Sequence, residues 1–150
     1  MRLKIRRAEP ADVPELVRLD GYSYFAAGWN EKNFTEALAQ SSYRIFLAQE
    51  KEKILGFICC TLVPPQVQVL DLAVSPNHLR RGIGAKLLIA AVTEAYRCGC
   101  DTATLEVNEL NSSGLAFYDS AGFTPVGRRP KFYHGRETAI LMDLKFVNGA

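Results

Sequence analysis

Hydrophobic and polar residues along the chain follow two periods, one of which predicts helices and the other strands. The strongest helical pattern runs from Gly82 to Arg97, and its apolar stripe consists of Ile83, Leu87, Leu88, Ala91, Val92 and Ala95. Another helix is predicted to begin at Asp12, which stands at a capping-box spacing from Glu15. Two further short helices are predicted over 31–40 and 113–120.

Alternating apolar and polar residues predict strands at 3–6, 43–49, 54–63, 67–74, 102–107, 125–129 and 137–146. The alternation changes parity near Leu70, which predicts a β-bulge there. Strands and helices are interspersed, and no linker or internal repeat separates them. The pattern therefore predicts a single domain over 1–150 with an α/β fold, in which a mixed sheet carries helices on both faces.

Composition narrows the class of protein without identifying it. Of the 150 residues, 48% are hydrophobic and 23% are charged, and the formal net charge is +2. These values are typical of a globular domain and give no reason to expect nucleic-acid or membrane binding. The chain starts without the apolar segment of a signal peptide, and no apolar run approaches about 18 residues. We therefore expect a cytoplasmic protein.

Four cysteines occur as two close pairs, Cys59 with Cys60 and Cys98 with Cys100. Neither pair has a C-x-x-C spacing, and the two histidines, which a catalytic thiol would need as a base, are distant in sequence. We expect reduced core thiols and no metal site.

The segment that opens the long helix carries the first candidate site. It reads Leu79-Arg80-Arg81-Gly82-Ile83-Gly84-Ala85 and follows a strand. Glycines allow close approach of a ligand to the backbone, and free amides at a helix start attract anions such as a pyrophosphate. The segment lacks the P-loop pattern of NTP-hydrolysing enzymes. By itself it fits an anion site and a plain helix start with solvated arginines equally well.

The same segment resembles the acetyl-CoA signature of the GNAT family of N-acetyltransferases, [RQ]-x-x-G-x-[GA], after a strand ending V-x-P. The resemblance implies the GNAT fold, with a mostly antiparallel mixed sheet, and acetyl-CoA as the acetyl donor. It also implies that the donor is bound by Leu72, Ala73, Val74, Leu79, Arg80, Arg81, Gly82, Ile83, Gly84 and Ala85. Leu79 stands where the family usually has Arg or Gln, and we expect this to weaken binding only modestly because backbone amides do most of it.

The resemblance continues over Leu105-Glu106-Val107, Asn111, Tyr118 and Gly122-Phe123. It implies that Glu106 is the general base, that Tyr118 lies near the thioester sulfur as the acid, and that Asn111 contacts the CoA arm. From the residues alone, Glu106 also fits a solvated strand position and Tyr118 a core aromatic.

Within the family, the chain is similar to the RimI-like enzymes, which acetylate the N-terminal alanine of a ribosomal protein. The similarity lies in the segment that starts at Trp29 and in Gly135-Arg136-Glu137-Thr138-Ala139-Ile140-Leu141-Met142, whereas the 131–135 loop looks shorter. It implies a protein N-terminus as acceptor and a monomer or homodimer. Aromatic residues predicted to form the acceptor pocket are Tyr24, Trp29 and Tyr133, with Tyr22, Phe25 and Phe132 as further candidates.

Two other functions stay open at this point. One is acetyl transfer to a small amine such as a polyamine, an amino acid or an aminoglycoside. The other is a non-catalytic acyl-CoA-binding module, against which the presence of both Glu106 and Tyr118 argues. A basic cluster at Arg128, Arg129 and Lys131 is interpreted as a solvated face.

Overall fold

A seven-stranded mixed sheet forms the centre of the computed structural model, which describes residues 2–146. The strands are β1 (Leu3–Arg7), β2 (Tyr43–Glu50), β3 (Lys53–Val63), β4 (Gln66–Val74), β5 (Thr102–Asn108), β6 (Thr124–Tyr133) and β7 (Glu137–Lys145). The α-helices are α1 (Val13–Asp20), α2 (Glu31–Leu38), α3 (Ile83–Arg97) and α4 (Ser112–Ser120). In the sheet order β1-β2-β3-β4-β5-β7-β6, only β4 and β5 are parallel. The predicted mixed, mostly antiparallel sheet is confirmed.

Each face of the sheet has its own hydrophobic core. On one face, α1 and α2 bury Leu16 and Phe34 against Phe57 of β3. On the other, α3 buries the stripe predicted from its periodicity, together with Phe123 after α4. All four cysteines are unpaired, as expected, but Cys98 is exposed and not in the core. None of the helices within residues 2–146 is long and apolar enough to cross a bilayer.

Strand β4 contains the bulge that the parity change predicted. Cys59 of β3 pairs with Asp71 and Cys60 pairs with Val69, so that Leu70 has no partner between them. On its other side, β4 pairs with β5 only from Gln66 to Val69. Beyond Val69 the two parallel strands part, and the sheet opens along 70–74 of β4.

Two local predictions need correction. Asp12 does not form a capping box with Glu15: it accepts hydrogen bonds from the Arg6 guanidinium at 2.9 and 3.0 Å and from the Glu9 amide at 2.7 Å. A 3-10 turn over Pro10–Asp12 precedes α1 and turns this carboxylate back toward β1. Strand β6 also continues to Tyr133, so that the predicted 131–135 loop is largely strand, followed by a turn over 134–136.

Candidate active site

The opening between β4 and β5 leads into a cleft of about 660 Å³ beside α3 and α4. Its wall contains all but one of the predicted donor-binding residues, namely Leu72, Ala73, Val74, Leu79, Arg80, Gly82, Ile83, Gly84, Ala85 and Asn111. Tyr118 also lines this cleft. Residues that are distant in sequence are therefore brought to one surface by the split in the sheet.

The start of α3 supplies the polar end of the cleft. Gly82 precedes the helix with φ of +76°, a left-handed conformation that costs glycine little, and no side chain caps the helix. The first amides of α3 therefore have no partner within the helix, and the helix dipole adds partial positive charge. Arg80 also has positive φ (+65°) and lines the cleft. This end of the cleft has the features of an anion site.

The two arginines of this segment have different surroundings. Arg81 does not line the cleft, and its guanidinium pairs with Glu50 of β2 at 2.8 Å. That ion pair lowers the pKa of Glu50. Arg80 forms no salt bridge within residues 2–146 and is the arginine that lines the cleft.

Gly84 on the first turn of α3 is not required by protein packing. A Cβ atom at this position would lie 3.4 Å from the nearest atoms of the Phe117 ring, an ordinary van der Waals distance, and its φ is not in the left-handed region. The helix would therefore accept alanine here. Because Gly84 also lines the cleft, its missing side chain leaves room for a ligand to approach the backbone.

Tyr118 on α4 is half-buried, with its ring 5.1 Å from that of Phe117 and 5.5 Å from that of Phe123. Burial raises the pKa of its hydroxyl well above the usual range, and the negative charge of Asp71 adds to the increase. The hydroxyl therefore holds its proton at neutral pH, as a general acid must. Asn111 caps the same helix, since its side-chain oxygen accepts a hydrogen bond from the Gly114 amide at 3.0 Å.

Glu106 lies on β5, just past the last residue that pairs with β4. Its side chain is 20% exposed and does not line the cleft. Its Oε2 atom pairs with Nη2 of Arg129 on β6 at 2.9 Å. Nearby Tyr133 has its pKa raised, first by burial and then by the charge of Glu106. Of the two predicted catalytic residues, Tyr118 therefore lines the cleft and Glu106 does not.

The comparison with known proteins decides the family. Residues 13–123 match the Acetyltransferase (GNAT) family. The chain belongs to the GNAT family of acetyltransferases. It is 30% identical over 143 residues to the [ribosomal protein bS18]-alanine N-acetyltransferase of Escherichia coli K12, covering 93% of this chain and 95% of that protein. The GNAT fold and the N-acetyltransferase class inferred from the sequence are confirmed.

Solved structures agree with this assignment. The crystal structure of the ribosomal-protein-S18-alanine N-acetyltransferase from Escherichia coli superposes with a TM-score of 0.86 at 29% identity, covering 96% of this chain and 94% of that chain. A putative acetyltransferase from Salmonella typhimurium, solved with its cofactor acetyl-CoA, superposes with a TM-score of 0.80 at 21% identity, covering 97% and 94%. The second likeness supports the GNAT fold alone.

The predicted acceptor residues of this GNAT enzyme are divided between two places. The Tyr24 hydroxyl lies 3.2 Å from both carboxylate oxygens of Glu137, and its ring is 5.3 Å from that of His134, so the 21–30 segment touches the β6–β7 turn. Trp29 is elsewhere: its ring packs 5.2 Å from Phe34 and 6.3 Å from Tyr43, and it does not line the cleft.

Several contacts near this site could not be predicted from the sequence. Glu137 accepts a hydrogen bond from Asn108 at 2.8 Å, which lowers its pKa and keeps it ionised. Arg128 and Arg129 are exposed, in agreement with the predicted solvated face, and they also pair with Glu109 and Glu106. Within the described residues, no group of three or more His, Cys, Asp or Glu side chains is placed to hold a metal ion.

Proposed function

We propose that this enzyme transfers the acetyl group of acetyl-CoA directly to the N-terminal α-amine of a protein, of the ribosomal-protein alanine type. The observation that carries the proposal is the opening between β4 and β5. It joins an uncapped helix start to a free strand edge and then to the Tyr118 hydroxyl. We call the β4 and α3 side the donor side, and the side formed by β5, β6 and β7 the acceptor side.

The donor side fits the chemistry of acetyl-CoA. The amides at the start of α3 and the guanidinium of Arg80 suit a pyrophosphate. The backbone of 72–74 has no strand partner on its β5 side and can hydrogen-bond the amides of an extended pantetheine arm, as an added strand would. The Salmonella typhimurium structure with acetyl-CoA has the same fold and supports this choice of donor.

Three groups of the chain would carry the reaction. Glu106 accepts the proton of the attacking amine, directly or through one water. A backbone amide near Val74 stabilises the negative charge that develops on the carbonyl oxygen. Tyr118 donates its proton to the sulfur as the carbon–sulfur bond breaks, and it regains a proton from solvent. The amine nitrogen thereby gains the acetyl group, and CoA leaves as the thiol.

The kind of amine affects how much the base must contribute. At pH 7, deprotonating an α-amine with a pKa of about 8 costs roughly 1.4 kcal/mol, whereas a lysine near 10.4 costs roughly 4.6 kcal/mol. One carboxylate can overcome the first cost more easily than the second. The enzyme class named for the Escherichia coli relative, together with its 30% identity across 93% of this chain, supports a protein N-terminus as acceptor.

The contact between Tyr24 and Glu137 supports an acceptor site at the junction of the 21–30 segment and the β6–β7 turn. Glu137 is ionised, and Glu106 supplies a second carboxylate on the same side of the opening. Each carboxylate is paired with an arginine, Glu106 with Arg129 and Glu137 with Arg136, and can still accept a hydrogen bond from the amine. Tyr133, which lies near Glu106, belongs to this proposed site, whereas the core contacts of Trp29 give it a packing role.

The test measures thiol release from acetyl-CoA with two sets of acceptors. One set holds short peptides that begin with Ala-Arg, Ser, Met or Gly, each with a matched peptide whose N-terminus is blocked and which contains lysine. The other set holds polyamines, amino acids and aminoglycosides. We expect turnover on the free Ala-type terminus and loss of turnover when that terminus is blocked. Turnover on small amines alone would overturn the proposed acceptor and leave the family assignment intact.

A further inference from the structure

Two carboxyl groups, those of Asp20 and Asp71, are buried near the cleft and form no salt bridge within residues 2–146. Asp20 is the last residue of α1 and Asp71 lies in β4 next to the bulge, and they are 1% and 8% exposed. Asp20 Oδ1 and Asp71 Oδ2 are fully buried, and neither accepts a hydrogen bond from a donor within residues 2–146. Buried polar atoms without partners are costly and uncommon, so this pair calls for a physical explanation.

Asp20 and Asp71 can each satisfy the other by a hydrogen bond between their carboxyl groups. A side-chain hydrogen bond with Asp20 is one cause of the raised pKa of Asp71, and a hydrogen bond between two carboxyl groups requires one proton. Burial, followed by this bond and the charge of Asp20, raises the pKa of Asp71 well above the usual range. Because like charges at contact cannot both ionise readily, two adjacent carboxyls hold one proton over a wide pH range.

The groups that face the two carboxyl groups from neighbouring elements supply neither a positive charge nor a proton. Burial raises the pKa of Cys59 of β3 and of Tyr118 of α4, and the charge of Asp71 raises both further. Both side chains therefore stay neutral at and above neutral pH. The backbone amides of Ala27 and Leu72 favour the ionised form of Asp71. Neither Asp20 nor Asp71 forms a salt bridge within residues 2–146.

The pair also holds the segment that connects α1 to α2. The other oxygen of Asp20, Oδ2, accepts a hydrogen bond from the Trp29 amide at 2.8 Å, while the Ala27 amide interacts with Asp71. The residues of this segment that line the cleft are Tyr22, Ser23, Phe25 and Ala26, and Asp71 lines it from β4. The two carboxyls therefore join one wall of the cleft to the strand opposite.

We propose that Asp20 and Asp71 share one proton, and that this carboxyl pair positions the 21–30 segment against β4 as a wall of the acetyl-transfer cleft. Both are positioning residues, because they act through the segment that they hold. The functional part of the proposal rests on the cleft being the acetyl-transfer site. The shared proton itself can be measured without any substrate.

The sign of the pH dependence follows from the raised pKa. The folded protein keeps a proton that the unfolded chain releases near the usual pKa of aspartate, about 3.9. Stability from this group is therefore complete at low pH and falls as pH rises toward the raised pKa of the folded state. Above it, two adjacent carboxylates repel each other, and the hold on the 21–30 segment weakens.

Asp71→Asn tests the shared proton, because the asparagine amide donates to Asp20 at every pH. The matched control is Asp119→Asn, which removes an exposed carboxylate of α4 outside the cleft lining. Thermal unfolding is followed from neutral to alkaline pH. We expect the wild type and Asp119→Asn to lose thermal stability more steeply than Asp71→Asn. Equal slopes for all three proteins, or an Asp71→Asn protein that is less stable at every pH, would overturn the shared proton.

Hydrogen exchange tests the positioning role in the same three proteins. After correction for the intrinsic dependence on pH, amides of 21–30 should exchange about tenfold faster at alkaline than at neutral pH in the wild type and in Asp119→Asn, but not in Asp71→Asn. Unchanged exchange in the wild type would contradict the role. Asp20→Asn repeats the test from α1, and failure of both isosteric variants to fold would also count against a shared proton. Because neither measurement uses an acceptor, these outcomes are separate from those of the peptide assay.

Discussion

The donor side and the acceptor side of the opening are built in different ways. The donor side consists mostly of backbone: a free strand edge, a left-handed glycine and the uncapped start of α3. The acceptor side consists of side chains held by one another, Glu106 with Arg129 and Glu137 with Asn108 and Tyr24. In the proposed function, binding of the donor therefore depends little on side-chain identity, whereas binding of the acceptor depends on a few particular residues.

The largest effect should come from the acceptor side, through Glu106→Gln. The amide keeps the shape of the side chain but cannot accept the proton of the amine, so kcat should fall by about 10²-fold or more, with a smaller change in the KM for acetyl-CoA. Steady-state kinetics with the preferred acceptor measure this. The matched control is Glu109→Gln, which removes the other ion-paired glutamate near the end of β5 and should nearly retain kcat. Near-full turnover of Glu106→Gln at neutral pH would remove Glu106 as the base.

The donor side is tested with two glycines at opposite ends of α3. Gly82 and Gly99 both have positive φ, and a Cβ atom at either position meets no close contact. Alanine at each should destabilise the fold by about 1 kcal/mol because it strains the left-handed conformation. Only Gly82→Ala, which distorts the amides that line the cleft, should raise the KM for acetyl-CoA, by about tenfold. The same increase in Gly99→Ala would mean that the effect comes from general loss of stability.

The smallest effect is expected for the arginine that holds Glu106. Arg129→Gln should lower kcat about fivefold, since a partly exposed ion pair contributes up to about 1 kcal/mol. Arg128→Gln is the matched control, because Arg128 is the neighbouring residue on β6 and pairs with Glu109 instead. The comparison of kcat for the two variants isolates the positioning of Glu106. Equal kcat in both would show that Glu106 does not need Arg129.

Local patterns predicted the donor side well, because its elements are continuous in sequence. The apolar stripe of α3 and the parity change at Leu70 both correspond to features of the structure. All residues of the signature from Leu79 to Ala85 line the cleft except Arg81. The Arg81 side chain does not line it because it pairs with Glu50 of a distant strand. That interaction depends on the packing of β2 beside α3, which no local pattern contains.

The acceptor side was predicted less completely, because its contacts join residues that are far apart in sequence. Arg129 meets Glu106 only because β7 lies between their strands with a particular register. Trp29 was predicted as a pocket residue from the family resemblance, and in the structure its partly buried ring packs against the core of the α1 and α2 face. The sequence gives no sign that Asp20 and Asp71 are buried together, because their interaction depends on the packing of α1 against β4.

The short pairing between β4 and β5 makes the sheet two half-sheets joined along Gln66 to Val69. In the proposed reaction, the pantetheine arm lies along the open edge of β4 and takes the place of the missing strand partner. The substrate then completes the hydrogen-bond ladder of the sheet for part of each turnover. Release of CoA leaves the edge of β4 unpaired again, so these hydrogen bonds of the sheet form and break once per catalytic cycle.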